Sequence, residues 1–164
     1  MTQLYDGEMF VVPTPLPKHQ VVQATLTELF RKYARERGGF AVNSPIDIVF
    51  SEFDVLQPDV VYFSPDRAHL VDLNRVIRDA PDVCVEVLSP STAATDRGKK
   101  MQMFARYRVP ECWIVDPAAE SIEIYELRDA AYEMTVKAAA AADTISAPSM
   151  PGLTFTVGAL FPSR

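Results

Sequence analysis

Apolar residues recur at helical spacing in two segments of this chain, and elsewhere they occur in short strand-like runs. The first helical segment follows Pro17 and is ended by the Gly38-Gly39 pair. The second is predicted over residues 96–108 and is ended by Pro110. Both are predicted to be amphipathic helices with one face against a core. In the first, the apolar residues at helical spacing are Val22, Leu26, Leu29, Phe30 and Tyr33.

The rest of the pattern predicts strands, most of them short. In chain order they cover residues 7–12, 46–50, 54–63, 83–88, 113–115, 121–127 and 132–137, with a last short strand at 153–157. The prolines at 13, 15 and 17 form a stiff connector, residues 67–80 fit no pattern, and residues 138–142 are predicted to be irregular. Because strands dominate and helices cover the sheet, the pattern predicts an α+β or mixed-sheet α/β fold.

The length and composition are typical of one globular domain. The chain has 164 residues, of which 48% are hydrophobic and 23% charged, enough to bury a core without cross-links. We expect a single domain over residues 1–164. No apolar run approaches the roughly 18 residues that a membrane span needs, and no signal peptide is expected. Cys84 and Cys112 lie in apolar stretches, so we expect buried thiols and a cytoplasmic protein.

The formal net charge is −6, so the molecule as a whole does not attract polyanions. Its basic residues are nevertheless concentrated in two segments. Residues 18–37 and 96–108 hold ten of the 16 lysines and arginines, five in each segment, but only three of the 22 acidic residues. Two basic helices can form a local phosphate-binding surface, although two solvated helix faces are the simpler explanation.

Glu86 is the residue most indicative of function. It lies within the strand predicted at 83–88, where every neighbour is apolar. A lone buried carboxylate costs several kcal/mol unless it is paired, binds a metal or becomes protonated. Strand alternation places it on one face with Cys84 and Leu88. A functional site is one explanation, and an ion pair with a neighbouring arginine is the other.

Asp59 and Lys100 are predicted to join this glutamate. Asp59 begins an apolar run at the polar end of another strand, and adjacent strands can bring two carboxylates to one cation. A proline–aspartate pair is, however, also an ordinary turn signal. Lys100 shares a helical stripe with Met103 and Phe104, so it is predicted to point inward unless its side chain bends back to solvent. Two carboxylates and an ammonium suit a hard cation acting on a phosphoryl group.

Other polar residues give weaker signals. His19 opens the first helix as a cap or an accessory site residue, and Asp96 is predicted to cap the second helix. Asp116 is predicted to cap an aspartate–proline turn. Asp82 lies on the glutamate's own strand but too far along it to share a small ion. Lys99 is predicted to lie on the outer face of the second helix.

Several sequence blocks fit one known family. They are Pro58-Asp-Val-Val, Ala80-Pro-Asp-Val-Cys-Val-Glu-Val-Leu-Ser-Pro-Ser-Thr92, Asp96-Arg-Gly-Lys-Lys100, Tyr107-Arg-Val-Pro-Glu-Cys-Trp-Ile-Val-Asp-Pro117 and Pro151-Gly-Leu. Together with Tyr5-Asp-Gly-Glu8 and His19, they resemble the Uma-two family of restriction endonucleases in the PD-(D/E)XK superfamily. The resemblance covers nearly the whole chain.

The resemblance implies a restriction-endonuclease-like fold, in which a central mixed β-sheet is flanked by helices. It implies that Asp59, Glu86 and the backbone carbonyl of Val87 hold Mg²⁺ or Mn²⁺. The superfamily usually places its lysine two residues after the glutamate, where this chain has Leu88. The resemblance therefore implies that Lys100, from the following helix, is the third catalytic residue. The accessory candidates are Glu8, His19 and Asp96.

Two functions follow as hypotheses. The first is an Mg²⁺-dependent endonuclease that acts on DNA, as a homodimer because cutting a duplex needs two sites. The second is a catalytically silent dimeric module that binds nucleic acid or regulates, and that retains the nuclease fold. The intact trio of two acids and a lysine favours the first hypothesis. The acidic net charge and the lack of a recognisable DNA-reading domain favour the second.

Overall fold

A computed structural model describes residues 2–11 and 14–161. Its strands are β1 (Thr2–Tyr5), β2 (Glu8–Val11), β3 (Phe40–Asn43), β4 (Ile48–Val49), β5 (Val55–Leu56), β6 (Val60–Phe63), β7 (Val83–Val87), β8 (Glu111–Asp116), β9 (Ser121–Arg128), β10 (Ala131–Ala138), β11 (Thr144–Ser146) and β12 (Thr154–Thr156). Its helices are α1 (Pro17–Arg37), α2 (Ala93–Thr95) and α3 (Met101–Arg106), with a π-helical segment (Asp96–Lys100) between the last two and single 3-10 turns at Ala68–Leu70 and Val157–Ala159. Within the described ranges, no helix is long and apolar enough to cross a membrane.

Six strands form the central sheet, in the order β10-β9-β8-β7-β6-β3. β7 and β8 run parallel, whereas the other neighbouring strands are antiparallel. Nearly all residues of β7 and β8 are buried, as expected for strands that are covered on both faces. The predicted mixed sheet is therefore confirmed.

The two faces of this sheet are covered by different elements. Helix α1 and the C-terminal segment cover one face, where the ring of Phe30 meets Tyr62 and Trp113 edge-on. Helix α3 and a second sheet, of order β2-β1-β5-β4, cover the other face around Phe104 and Ile48. Alternate residues of each central strand therefore enter two separate cores.

Helix α1 begins and ends where its sequence predicts. Pro17 occupies the first turn, where the missing N–H of a proline has no intrahelical partner to lose. Gly38 is left-handed, with φ of 87°, and its N–H donates to the carbonyl of Ala34. Of the residues predicted to form its apolar face, Val22, Leu26, Phe30 and Tyr33 are buried, and Leu29 is half-buried against the same core.

The N-terminal prediction is incomplete. The strand predicted at 7–12 is the second arm of a hairpin formed by β1 and β2, which turns at Asp6 and Gly7. Both turn residues have positive φ. Val12 and Pro13 lie outside the described residues.

The strand predicted at 54–63 is two strands, β5 and β6, which belong to different sheets. Pro58 lies between them and has no N–H to donate to a ladder. The stretch 67–80 is mostly irregular apart from one 3-10 turn. Besides β1, two of the described strands are absent from the prediction: β3, which is an edge strand of the central sheet, and β11. The other predicted strands differ from the observed ones mainly at their ends.

The second helix also differs from its prediction. It begins at Ala93, three residues earlier than expected, and passes through the π-helical segment before it ends at Arg106. The prediction that Asp96 caps this helix is therefore wrong, because Asp96 lies after its first turn. Asp116 does cap its turn, since its Oδ1 accepts the N–H groups of Ala118 and Ala119.

Asp54 ties the second sheet to α3. Its buried carboxylate accepts the N–H of Asp6 at 2.7 Å and the hydroxyl of Tyr107 at 2.5 Å. Burial acts to raise the pKa of Asp54, but these donors, Ser51 and the charge of Arg106 outweigh it and hold this pKa below its usual value. The folded state therefore stabilises the ionised form of Asp54 relative to the unfolded chain.

We expect Asp54→Asn to lower the free energy of unfolding by about 2 kcal/mol at pH 7, the scale for hydrogen bonds to a charged group. Because the folded pKa is depressed, this contribution is present above the unfolded pKa of about 4 and is lost as the pH falls through the folded pKa. Urea melts at pH 7 and pH 3 would measure it, with the exposed Asp66→Asn as control. An equal loss at both pH values would contradict the assignment.

Candidate functional site

The site lies where β6 begins and β7 ends. Val60 pairs with Val85 across these antiparallel strands, and the same register places Asp59 opposite Glu86. The N–H of Asp59 donates to the carbonyl of Val85 at 3.0 Å. Its Oδ2 accepts the N–H of Val87 at 2.8 Å. The side chain therefore supplies the acceptor that a backbone carbonyl would supply if the β6–β7 pairing continued. The Asp59 carboxylate is thus held by the backbone of the strand that carries Glu86.

Glu86 lies on the face of β7 that meets α3. Its strand neighbours Val85 and Val87 enter the core under α1, whereas Cys84 enters the opposite core. Glu86 is only 1% exposed, and its Oε2 accepts a hydrogen bond from Nζ of Lys100 at 2.6 Å. A carboxylate can occupy this apolar strand because a charged donor reaches it from the next element.

Lys100 and Asp96 both come from the π-helical segment. The Lys100 side chain is 5% exposed, and its ammonium lies 3.6 Å from Oδ1 of Asp96 and 3.4 Å from the carbonyl of Gln57. It therefore points inward, as its helical stripe predicts, and does not bend back to solvent. A π-helical turn inserts extra residues into a helix and often occurs at functional sites. Here it turns both polar side chains toward the end of β7.

The charges of these groups are coupled. Burial is the strongest influence on the pKa of Glu86 and raises it well above its usual value, against the opposing charge of Lys100. Burial also raises the pKa of Asp96. For Lys100, burial acts to lower the pKa, but Glu86 and Asp96 outweigh it and raise the pKa. One permanent positive charge is therefore surrounded by several acids, an arrangement that favours binding of a further cation.

His19 approaches the same acids from the first turn of α1. Its Nε2 lies 3.3 Å from Oδ2 of Asp59. Burial acts to lower the pKa of His19, but the hydrogen bond and charge of Asp59 outweigh it, so the pKa is raised. Its Nδ1 is buried and has no hydrogen-bond partner within the described residues.

These side chains line one cavity of about 390 Å³. Asp59, Glu86, Val87, Lys100, His19 and Asp96 all contribute to its wall. The structure therefore brings together every predicted site residue except Glu8. Glu8 is exposed on β2, where its carboxylate lies 3.5 Å from Nζ of Lys99.

Two other predictions concern residues near the site. Asp82 pairs with Arg67 at 2.8 Å and accepts the N–H of Ser64, so it is committed elsewhere, as expected. Lys99 is only partly on the outer face, because its ammonium lies 4.5 Å from the ring centre of Phe10 and its side chain is 34% exposed. The hairpin of β1 and β2, which the sequence pattern does not predict, accounts for this difference.

Gln57 is one of the cavity residues that the sequence pattern does not indicate. Its carbonyl accepts from Lys100, its N–H donates to Oε1 of Gln3, and its Nε2 donates to Asp47. Its Oε1 is buried without a partner among the described residues. A glutamine between two strands looks like an ordinary loop residue in the sequence. Its position directly before Pro58 and Asp59 is the one sequence feature that could have indicated a role.

The residues present fit a hard divalent cation. Oε1 of Glu86 is buried and accepts no hydrogen bond within the described part of the chain, a costly state that a cation would relieve. In that same part, no three His, Cys, Asp or Glu side chains are grouped to hold a metal alone. Mg²⁺ commonly takes one or two carboxylates and keeps several waters. Two acids and a backbone carbonyl therefore suit Mg²⁺ or Mn²⁺ better than a closed zinc site.

A mixed sheet with two acids at adjacent strand ends, and with a buried lysine that a helical segment brings to them, defines a nuclease-like α/β protein. The chain belongs to the Uma2 family, whose model carries the description "Putative restriction endonuclease" and matches residues 1–158. A solved structure from Anabaena variabilis, described as a "putative nuclease belonging to DUF820", has a TM-score of 0.81 at 20% identity. The match covers 98% of this chain and 89% of that one, which shows a shared fold. No protein with a curated description matches the chain.

If the two acids hold a metal, the native state alone should bind it and melt at a higher temperature. At ten times the dissociation constant, linkage gives about 1.4 kcal/mol, which is about 3–6 °C for a chain of this size. Thermal melts with Mg²⁺ or Mn²⁺, against KCl of equal ionic strength, would measure the shift.

Glu86→Gln should abolish the shift, whereas Asp72→Asn, at an exposed acid far from the cavity, should retain it. An unshifted wild-type melt at saturating metal would rule out a useful site. An equal shift in Glu86→Gln would place the metal elsewhere.

Proposed function

We propose that this protein is a divalent-metal-dependent endonuclease that hydrolyses phosphodiester bonds in DNA. The observation that carries the proposal is that Asp59, Glu86 and Lys100 line one cavity, where Oε1 of Glu86 is buried and has no hydrogen bond within residues 2–11 and 14–161. Family membership supports the reaction class.

Asp59, Glu86 and the carbonyl of Val87 would hold Mg²⁺ or Mn²⁺. Such an ion supplies Lewis-acid chemistry: it withdraws charge from a phosphoryl oxygen and lowers the pKa of a bound water. The protein holds both acids in advance. Val87 and His19 hold Oδ2 of Asp59, and Lys100 holds Oε2 of Glu86. The second oxygen of each carboxylate is left for the ligand.

Lys100 has two roles in this proposal. Its hydrogen bond orients Glu86, and its raised pKa keeps it charged in the cavity wall. Hydrolysis joins a water oxygen to phosphorus and breaks a phosphorus–oxygen bond, and negative charge grows on the phosphoryl oxygens meanwhile. A fixed ammonium whose side chain is buried stabilises that charge more than it stabilises the ground state.

Cleavage of plasmid and single-stranded DNA with Mg²⁺ or Mn²⁺ tests the function directly. We expect wild-type protein to cut, and Glu86→Gln to be inactive. Lys100→Met should lower the single-turnover rate by about 10²-fold or more, the scale for losing one positioned electrostatic group. Because Lys100 is paired with two acids, Lys100→Met should also lower the melting temperature, since it leaves buried charge uncompensated.

The matched control is Lys99→Met. Methionine can keep the contact with Phe10 and Tyr5, so the rate of the chemical step should change little. If saturating Mn²⁺ restores the rate of Lys100→Met, Lys100 only positions Glu86. If wild-type protein binds DNA but never cuts it with either metal, the chain is the silent binding module and the enzymatic proposal fails.

The proposal includes a homodimer. β2 is an edge strand of the second sheet, and it exposes Met9 and Val11. Exposed apolar edges are commonly covered by another chain, and cutting both strands of a duplex needs two sites. Light scattering at micromolar concentration should give about twice the chain mass of 18.2 kDa, and Val11→Lys should reduce it. A monomeric mass for the wild-type protein would contradict the dimer.

A further inference from the structure

The two basic segments of the chain differ in how their charges are used. In the segment 96–108, every basic side chain has an acidic or carbonyl partner: Arg97 with Glu123, Lys99 with Glu8, Lys100 with Glu86, Arg106 with Asp6, and Arg108 with the carbonyl of Asp129. Four of these five charges are already paired with acids within the protein, and the fifth donates to a carbonyl. They are poorly suited to bind a polyanion.

Helix α1 is different. Its Lys18 pairs with Glu120 and its Arg37 lies over the ring of Tyr33. Arg31, Lys32 and Arg35 are exposed and have no ion-pair partner among residues 2–11 and 14–161. In a chain of net charge −6, these three are cations of the helix that have neither an ion pair nor an aromatic contact within the described residues and are therefore available to an external anion.

Arg31 and Arg35 lie in a cleft and Lys32 does not. The cleft runs between α1 and the edge strand β3, and it is lined by Ala24, Thr27, Glu28, Arg31, Arg35 and Asn43. At about 100° per residue, Arg31 and Arg35 lie about 40° apart around the helix axis, whereas Lys32 lies about 100° from Arg31 and outside the cleft lining. The two arginines are four residues apart, about 6 Å along the axis.

This cleft adjoins the candidate site through both of its walls. Along α1, Gln20 lines the site cavity and Ala24, one turn later, lines the cleft. Along β3, Asn43 lines the cleft and the next residue, Ser44, lines the cavity. From Gln20 the helix rises about 16 Å to Arg31 and about 22 Å to Arg35. Phosphates follow one another at about 3.4 Å per nucleotide along a duplex axis, so the arginines lie several nucleotides from the site.

We infer that this cleft binds the phosphate backbone of the DNA strand that flanks the cleavage site, with Arg31 and Arg35 as the contacting residues. The inference rests on the proposed nuclease function and adds the path of its substrate. The 6 Å between the arginines matches about two nucleotide steps, so each can contact a separate phosphate. Arginine also binds phosphate through two parallel hydrogen bonds. Glu28 is the only acid in the cleft lining, and it should oppose binding.

Salt-dependent binding separates this surface from a merely solvated helix face. Fluorescence anisotropy would follow a labelled 24-base-pair duplex of mixed sequence with the full-length Glu86→Gln protein in Mg²⁺, across a range of KCl concentrations. In that background, Arg31→Gln with Arg35→Gln should weaken binding. It should also reduce the slope of log affinity against log salt by about 1.8, since each lost phosphate contact contributes about 0.9.

Two matched variants complete the test. Lys32→Gln removes one positive charge from a neighbouring position outside the cleft lining and should leave the slope nearly unchanged, whereas loss of one phosphate contact would reduce it by about 0.9. Glu28→Gln should strengthen binding, a gain that a damaged fold cannot produce. Equal effects of the Arg31/Arg35 and Lys32 changes would overturn the inference while leaving the nuclease function intact. If wild-type protein neither binds nor cuts DNA, both the inference and the proposed function fail.

Discussion

The buried ion pair between Glu86 and Lys100 is the interaction on which the site depends. Neither charge could be buried at this position alone, because removing an unpaired ion from water costs several kcal/mol. At 2.6 Å each satisfies the other, and the pair connects the centre of the main sheet to the π-helical segment. Its second consequence is chemical. The lysine occupies only one oxygen of Glu86, so the other is buried without a hydrogen-bond partner in the part of the chain that the structure describes.

The surrounding fold keeps that pair in place. Antiparallel pairing of β6 and β7 sets Asp59 opposite Glu86, and the N–H of Val87 fixes the orientation of its carboxylate. The second sheet closes the opposite side, where Gln57 accepts from the lysine and Asp54 ties the sheet to α3. The two basic segments near the site differ in the partners of their cations. Most cations of the segment that carries Lys100 pair with acids of the protein, whereas Arg31 and Arg35 of α1 are exposed to solvent.

The central residues of the site could be predicted from sequence because each conflicts with its local pattern. A carboxylate in an apolar strand and a lysine on an apolar stripe both require partners, and Asp59 begins a strand after a proline. The mixed sheet followed from the order of apolar runs. The second sheet could not be predicted, because its strands are two to four residues long and its core comes from distant parts of the chain. The π-helical segment shifts the helical register, and a periodicity of about 3.6 residues in the sequence cannot show such a shift. The partners of Lys99 and Gln57 could not be predicted either, because they belong to the second sheet or lie next to it.

The claim that Asp59 and Glu86 form a metal site is tested most directly by crystals grown with Mn²⁺ and measured where manganese scatters anomalously. We predict one strong anomalous peak between the two carboxylates, in contact with the carbonyl of Val87, and the loss of that peak in Glu86→Gln. A peak only at surface acids, or none at all between Asp59 and Glu86, would contradict it.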